Sequence, residues 1–452
     1  MISDNAASQG KWSSRFGFIL AATGAAVGLG NIWKFPYITG ENGGGAFVLV
    51  YLLCVLLIGI PLMIAELSLG RRVGKSPVNT MLDLARESGA SSWWKLVGVM
   101  GVLTGFLILS YYSVVAGWTL VYAIKMITGA FWGMDAGEIS GVYDQLISDP
   151  VQLLFWHSLF IGATMWLVSQ GVQAGLEKAV RFMMPALFGL LLLLVAYSLF
   201  AGDSEQAFKF LFSLDFDKLT GEGVLIALGQ AFFSIGLGMG MLIMYGAYLP
   251  KEISISGSSF IIAAADTIVA LLAGLAIFPI VFAHQLEPGS GAGLIFQTLP
   301  IAFAQMPLGS IFGFLFFTLL VFAALSSSIA LIEPLVRWLM ESRKLSRADA
   351  CLSSGVAVWL TGILTALSFN EWSDIQLLDK NIFEFIDYLT SNILLPLGGI
   401  LIAVFTGWVV KQSLLSEESK MSASIFTIWI NLVKYLVPVA IFLVMLSVIG
   451  IF

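Results

Sequence analysis

Charged side chains are scarce in this chain of 452 residues. Only 11% of its residues are Asp, Glu, Lys or Arg, against about 25% in soluble globular domains. Apolar residues make up 58% of the chain, and runs long enough to cross a bilayer recur along its whole length. The composition therefore excludes a soluble globular protein and predicts a polytopic membrane protein. No cleaved signal peptide is expected, because the first apolar run leads directly into further runs.

Cysteine and histidine are almost absent, with two residues of each. Cys54 and Cys351 lie far apart in or beside apolar runs, and nothing in their positions argues for a disulfide. His157 and His284 share no ligand spacing with Cys, Asp or Glu, so no metal centre of the zinc type is predicted. No pair of nucleophile and base stands out, which disfavours a membrane enzyme. The net charge of −6 identifies no partner, and no nucleic-acid partner is expected.

The apolar runs predict eleven membrane-spanning helices, and the basic residues between them predict their orientation. Most Lys and Arg residues fall on one side, whereas the opposite loops carry only Lys125, Lys209, Lys218 and Lys380. Because cytoplasmic loops are enriched in Lys and Arg, the N-terminus is predicted to be cytoplasmic and the C-terminus outside. The outer loops are expected to be short, and the chain has no N-x-S/T sequon, which favours a bacterial inner membrane. The predicted spans lie near 15–38, 43–70, 92–126, 151–170, 177–201, 224–249, 255–283, 310–342, 347–370, 382–411 and 425–451.

Two of these spans carry a cluster of glycines at their centre. The first contains GLGN at 28–31, and the sixth contains GLGMG at 236–240. An interrupted helix frees backbone N–H and C=O groups, which lipid cannot satisfy, so the break must face protein or a bound ligand. Gly24 and Gly28 also fit a face for close helix packing, and taken alone they leave that alternative open.

Matching breaks in two halves of a chain are typical of transporters built from inverted repeats. We therefore predict a single transporter domain over 1–452, with a first repeat at 15–201, a second repeat at 224–411 and one further span at 425–451. A channel is a rival interpretation, because broken helices also line ion pathways. Channels, however, generally repeat their pore elements around an axis.

The residues at the breaks resemble a known family. The segments that carry the resemblance are SRFGFILAATGAAVGLGNIWKFPYITGENGGGAFVLVYLLCVLLIGIPLMIAELSLG (14–70), YYSVVAGW (111–118), GQAFFSIGLGMG (229–240), FAALSSSIALIEP (322–334) and SNILLPLGG (391–399). They are similar to the neurotransmitter:sodium symporters, and the absence of a twelfth span resembles a bacterial subgroup with eleven. The resemblance implies an all-α five-plus-five inverted-repeat fold with discontinuous helices 1 and 6. It also implies sodium-driven uptake of amino acids or amines by alternating access.

By this resemblance the chain binds two sodium ions. One site takes oxygen ligands from Gly24, Val27, Ala323, Ser326 and Ser327, although serines 326–328 alone would favour simple hydrogen bonding between helices. The other site takes ligands from Ala26, Asn31, Ser234 and Asp266. Asp266 stands where a bacterial relative has a neutral amide. A carboxylate within an apolar span is costly and usually functional, unless it is protonated or reaches the interface. Its charge could replace chloride, so chloride independence is predicted.

The resemblance also assigns a substrate pocket. Gly28 occupies the position at which monoamine transporters have an aspartate, which favours a plain amino acid. The part of the pocket that receives the substrate side chain is apolar, and it is adaptable because Met fits irregular shapes. The expected substrate is therefore tryptophan, tyrosine or leucine. A neutral aromatic such as indole is the alternative, since Asp266 could remove the need for a substrate carboxylate. The predicted lining is Ala25, Ala26, Leu29, Gly30, Ile108, Tyr112, Phe233, Ser234, Gly236, Met239, Ser327 and Leu331.

Gates are predicted at both ends of the pocket. On the outer side, Lys34 and Asp387 are expected to form a closing ion pair, with Phe233 and Tyr112 as an aromatic lid. On the inner side, Trp12, Tyr248 and Glu341 match a cytoplasmic latch. Gln9 stands where the family has an arginine, and Lys11 is a possible substitute. Glu66 is expected to orient the broken backbone, whereas Glu333 receives no role. The protein is expected to be a monomer or a weak homodimer in the lipid bilayer.

Overall fold

The computed structural model describes residues 10–286 and 291–448, and the regular structure in these ranges is helical. We number the eleven long helical segments α1 to α11 and refer to the shorter connecting helices by their bounds. Two of the eleven are broken into halves. The segments are α1 (Arg15–Ala26 and Gly30–Glu41), α2 (Gly45–Val73), α3 (Ser92–Ile127), α4 (Pro150–Ser169), α5 (Val172–Ala201), α6 (Gly221–Ile235 and Met241–Ala247), α7 (Ile255–Ala283), α8 (Gly309–Arg343), α9 (Arg347–Leu367), α10 (Ile382–Val409) and α11 (Ala423–Ser447).

The predicted all-α fold with discontinuous first and sixth helices is confirmed, and each predicted span coincides with one of the eleven segments. Within the described part of the chain, nine segments are individually long and apolar enough to cross a bilayer, and the bent halves of α1 make a tenth. The halves of α6 are 15 and 7 residues long. Counting α6 as a span gives eleven, so the number of crossings stays a prediction. The division into repeats at 15–201 and 224–411 also stays a prediction.

The connections contain helices that the apolar pattern did not reveal. Ala136–Ser148 joins α3 to α4, and it buries Ile139, Val142 and Leu146. These three residues recur at a spacing of three to four, so they form one stripe on an otherwise polar helix. A stripe of this kind lacks the continuous apolar run by which spans are found. The other connecting helices are Pro77–Glu87, Ser204–Phe212, Leu294–Gln305 and Gln412–Ser419.

The first half of α1 lies at the centre of the bundle. It contacts α5, α7 and α8, and α8 in turn packs along α3. Nearly every residue from Gly17 to Ala26 is buried. A helix that is apolar on all sides fits this enclosed position, since such a helix needs no solvated face. The backbone break at its end therefore opens toward protein and not toward lipid.

The second half of α6 is held against α2 at very short range. A Cβ atom on Gly70 would collide with the Ile243 carbonyl oxygen, and one on Gly246 would collide with the Leu67 carbonyl oxygen. Only glycine permits two backbones to approach so closely. This contact fixes the position of the second half-helix beside the break in α6.

Candidate functional site

The break in α1 lies between Ala26 and Gly30, and the two half-helices are bent by 60°. Val27 ends the first half in an extended conformation with φ −68° and ψ 105°. At Gly28, a Cβ atom would lie 3.2 Å from the Ser327 hydroxyl oxygen and 3.4 Å from the Tyr112 hydroxyl oxygen. The α1 backbone is thus in close contact with polar groups from α3 and α8.

The break in α6 consists of five residues between Ile235 and Met241. Gly236, Gly238 and Gly240 have φ values of +73°, +84° and +76°, a region that glycine enters without steric cost. The Glu66 carboxylate on α2 accepts a hydrogen bond from the Gly238 N–H at 2.8 Å. Glu66 is fully buried, and this contact matches its predicted role of orienting the broken backbone.

The two breaks face each other across a cavity of about 530 Å³. All twelve residues of the predicted substrate pocket line this single cavity. The Tyr112 hydroxyl is buried beside Ser327 and the Leu29 backbone, but it has no hydrogen-bond partner among the described residues. An unpaired buried hydroxyl is costly, so this position calls for a polar group from a ligand.

Part of the cavity is lined by aromatic side chains that lie outside the two breaks. Trp118 and Tyr143 pack edge to face with ring centroids 5.6 Å apart, and both line the cavity. Tyr143 belongs to the connecting helix Ala136–Ser148. Burial and the nearby Asp144 carboxylate raise the pKa of the Tyr143 hydroxyl to about 12, so this phenol is uncharged at neutral pH.

Three of the residues predicted for one sodium site form a buried polar cluster. The Asn31 Nδ2 donates hydrogen bonds to the Ser234 hydroxyl at 2.9 Å and to Asp266 Oδ1 at 2.7 Å. The Ser234 hydroxyl donates to the other Asp266 oxygen. The Asn31 side-chain oxygen accepts from the Gly28 N–H at 3.1 Å, which couples the cluster to the α1 break. A cation here would replace the amide hydrogen bonds, and the Asn31 amide would rotate to present its oxygen.

Residues predicted for the other sodium site meet where α1 contacts α8. The Ser327 hydroxyl donates to the carbonyl oxygens of Val27 at 3.1 Å and Gly24 at 3.3 Å. The Ser326 hydroxyl donates to the Ala323 carbonyl oxygen at 3.0 Å, and the Ser326 Cβ lies 3.0 Å from the position of a Cβ on Gly24. All the donor atoms are hard oxygens, which is the ligand type that a hard cation such as sodium prefers. This donor set fits a sodium ion.

The predicted outer ion pair is not formed in this conformation. Both Lys34 and Asp387 line the cavity, but no salt bridge joins them in the described part of the chain. Lys34 is exposed, and its Nζ lies 5.4 Å from the ring centroid of Phe233. Asp387 instead accepts hydrogen bonds from the hydroxyls of Tyr111 and Ser391, each at 3.0 Å. The two charges are therefore separated by open cavity.

At the end of the bundle opposite Lys34 and Asp387, hydrogen bonds and an ion pair join the helices. The backbone N–H of Trp12 donates to the Tyr248 carbonyl oxygen at 3.0 Å, and the Trp12 indole is 2% exposed. The Tyr248 hydroxyl donates to Glu333 at 2.6 Å. Arg347 on α9 makes a bidentate contact with the same buried carboxylate, at 2.6 and 3.0 Å. Glu333, to which the sequence assigned no role, thus joins α6, α8 and α9.

Glu341 makes different contacts from those predicted for a latch. It accepts hydrogen bonds from Arg337 at 2.7 Å, from the Ser76 hydroxyl at 2.6 Å and from Asn79 at 2.8 Å. The Arg337 guanidinium carbon lies 5.9 Å from the ring centroid of Tyr248, so Arg337 links Glu341 to the Trp12 and Tyr248 pair. Arg337 on α8 thus lies between Glu341 and Tyr248.

The sequence places Gln9 where the family has an arginine and offers Lys11 as its substitute. Gln9 lies outside the described residues. Lys11 accepts a hydrogen bond from the Gln173 side chain through its carbonyl oxygen at 2.8 Å. The neighbouring Ser13 N–H donates to Glu177 at 2.9 Å, and Glu177 pairs with Arg181 at 2.7 Å. Residues 11–13 are thus anchored on α5.

Several residues in these networks were missed by sequence reasoning. Arg337 precedes Glu341 by one helical turn, a spacing that predicts an ion pair and could have revealed it. Arg347 and Glu333 lie on different helices, and no sequence spacing relates them. Met241 also lines the cavity, but it falls just outside the glycine-rich segment. Tyr51 is buried with its hydroxyl near Asp266 and Ser234.

A bundle with two broken helices around a central cavity defines the class of protein as a membrane transporter. Residues 9–138 and 129–452 match the Sodium:neurotransmitter symporter family. The chain belongs to that family, whose members are transporters and not enzymes.

Similar proteins cover almost the whole chain. It is 39% identical to the uncharacterized sodium-dependent transporter YhdH of Bacillus subtilis, over 98% of each chain. It is 36% identical to an uncharacterized sodium-dependent transporter of Haemophilus influenzae, over 96% of this chain and 97% of the relative. Among solved structures, MhsT in complex with L-phenylalanine matches with a TM-score of 0.89 and 44% identity, over 97% of this chain and 99% of MhsT. The predicted family and fold are thereby confirmed, and sodium dependence follows from the family.

Proposed function

We propose that this protein takes up a large hydrophobic or aromatic amino acid together with sodium, by alternating access and without chloride. The observation that carries the proposal is the juxtaposition of the two breaks. Groups from α1 and α6 meet in the cluster of Asn31, Ser234 and Asp266, and the same breaks line the cavity of about 530 Å³. The sodium ion and the substrate would therefore both be bound by residues at these two breaks.

Two sodium sites fit the polar groups at these breaks. The Asp266 cluster combines one full negative charge with neutral oxygens. The second group, around Ser327, supplies only neutral oxygens from α1 and α8. The Asp266 cluster includes groups from three helices, α1, α6 and α7, and the Ser327 group includes groups from α1 and α8. A bound sodium would therefore hold those helices together. That is how ion binding can bias a conformational equilibrium, because the ion favours the state in which its ligands converge.

The cavity suits an amino acid with a bulky apolar side chain. Its polar end has the unpaired Tyr112 hydroxyl and the start of the second half of α1 at Gly30. The partial positive charge of a helix N-terminus favours a carboxylate. Its other end is formed by apolar side chains. That MhsT was solved in complex with L-phenylalanine is consistent with this substrate class.

Chloride independence rests on Asp266. Its side chain is fully buried and bonds to both other members of the cluster. A fixed carboxylate beside the sodium supplies a negative charge that would otherwise have to come from a bound anion. The same reasoning supports indole as the second candidate substrate, because a cation neutralised by Asp266 needs no substrate carboxylate.

The conformation is that of a transporter open on one side. Lys34 is exposed and separated from Asp387, whereas the Trp12, Tyr248 and Glu333 contacts close the other end. Alternating access would then join Lys34 to Asp387 and release Trp12 from Tyr248. We propose a bacterial inner membrane with the N-terminus in the cytoplasm, which makes the open side external. A monomer or weak homodimer suffices, because all the proposed site residues come from one chain.

A ligand screen on the purified protein tests the proposal. Binding of all common amino acids and of indole is measured with sodium and with potassium in its place, and each arm is repeated with gluconate replacing chloride. We expect sodium-dependent binding of leucine, phenylalanine or tryptophan that is unchanged in gluconate. Binding of amines alone contradicts the assigned pocket. Loss of binding in gluconate contradicts the role of Asp266, and binding of indole alone selects the second candidate.

A further inference from the structure

The apolar end of the cavity contains a side chain that the sequence did not identify. Met241 is the first residue of the second half of α6, it is 2% exposed, and it lines the cavity. Ile108, Met239 and Leu331 form the rest of this end. Met241 differs from them because its side chain lies directly against Gly236.

Two methionine side chains converge on Gly236. A Cβ atom built on Gly236 would collide with the terminal methyl group of Met241, and it would lie 3.3 Å from the Met241 sulfur and 3.6 Å from the Met239 methyl. The space that a side chain at 236 would occupy is thus already filled. Met241 thereby closes the cavity at Gly236, which contributes no side chain of its own.

The backbone around Met241 is fixed, whereas its side chain can move. The Gly238 N–H is held by the buried Glu66 carboxylate at 2.8 Å, and the following helix packs on α2 through Gly246. Methionine, however, has three rotatable bonds and fills irregular space at little cost. A substrate too large for the cavity therefore gains room by rotating Met241 away from Gly236, without moving the half-helix.

We propose that Met241 sets the upper size limit for the substrate side chain at this site. The inference rests on the proposed uptake of an apolar amino acid and specifies which residue discriminates within that class. Side chains of leucine size fit with Met241 against Gly236. A double-ring side chain such as that of tryptophan requires Met241 to rotate away, so its binding includes the free energy of that displacement.

The test compares the binding of tryptophan with that of leucine, in saturating sodium, for the wild type and two Met241 variants. Met241→Ala removes the obstruction, and we expect the affinity for tryptophan relative to leucine to rise about tenfold, the discrimination that one or two methylene groups provide in an apolar pocket. Met241→Leu keeps most of the volume but has fewer rotatable bonds, and we expect the same ratio to fall. Opposite shifts in the two variants support a size limit set by this side chain.

Met244→Ala is the matched control. Met244 lies on the same half-helix and is fully buried, but it does not line the cavity. We expect this variant to leave the ratio unchanged. If Met241→Ala lowers both affinities equally, the residue acts only through packing and the inference is overturned. If Met241→Ala does not fold, Met241→Leu alone decides, since an unchanged ratio there overturns the inference. If the wild type binds neither amino acid, the proposed function itself fails.

Discussion

Replacing Asp266 by asparagine removes the full negative charge from the cluster that it forms with Asn31 and Ser234. The substitution preserves the size of the side chain, and one oxygen remains to accept the hydrogen bond from Asn31. Asp266 is completely buried, so water cannot compensate for the lost charge. If a sodium ion occupies this cluster, its binding must weaken.

The size of the effect follows from the geometry of the cluster. The Asn31 nitrogen lies 2.7 Å from Asp266 Oδ1, and a cation in its place would lie similarly close. By Coulomb's law, opposite unit charges at that distance attract each other by about 6 kcal/mol at an effective dielectric constant of about 20. The amide dipole of asparagine keeps part of this attraction. Loss of about 1.4 kcal/mol already weakens binding tenfold, so we expect at least a tenfold rise in the sodium concentration for half-saturation.

Sodium titrations measure this effect in two ways. One titration measures substrate binding as a function of sodium concentration. The other measures the rise in unfolding temperature that sodium causes in the absence of substrate. This second titration can be carried out even if the variant binds no substrate. Asp144→Asn is the control, because Asp144 is an exposed carboxylate on the Ala136–Ser148 helix. An Asp266→Asn variant that is folded and keeps the wild-type sodium affinity refutes the assignment of this residue to a sodium site.

Three other substitutions test the remaining contacts. Tyr112→Phe removes a hydroxyl without a described protein partner, so we expect little change in unfolding temperature but about tenfold weaker binding of amino acids, since a hydrogen bond to a charged group contributes about 1.5–3 kcal/mol. Lys34→Gln abolishes the pairing with Asp387 expected on closure, and bound substrate should dissociate about two- to fivefold faster, the range of a partly exposed ion pair. Arg347→Met leaves the buried Glu333 carboxylate unpaired, and we expect the protein in detergent to lose about 3–5 kcal/mol of stability.

Each of these outcomes has its own control. Indole binding should be unaffected by Tyr112→Phe, because indole has no carboxylate, and equal losses for both ligands would contradict the assigned role. Lys95→Gln changes an exposed lysine outside the cavity, and an equal effect of both lysine variants on dissociation would exclude a gate at Lys34. Combining Arg347→Met with Glu333→Gln should recover part of the lost stability. No recovery would show that Arg347 acts through packing and not through the ion pair.

The sequence by itself determined the helices, the two breaks and the cavity wall. Long apolar runs identify segments that must satisfy their own backbone in lipid, and clustered glycines identify where α1 and α6 cannot continue as helices. Both signals are local, so no knowledge of neighbours was required. The twelve lining residues, which meet in one cavity, were implied by the family resemblance and not by the breaks alone, because Ile108 and Tyr112 lie on α3, and Ser327 and Leu331 lie on α8. The Ala136–Ser148 connecting helix was not predicted, since a stripe of three apolar residues is a weak signal.

The tertiary structure decided which polar groups meet and whether the predicted gate residues are in contact. Glu333 pairs with Arg347 on another helix, Arg337 lies between Glu341 and Tyr248, and Lys34 and Asp387 remain apart. Met241 lines the cavity with its side chain against Gly236. These features depend on distances between helices that are far apart in the chain. A hydrogen bond or ion pair depends on a few tenths of an ångström, and packing alone sets that distance.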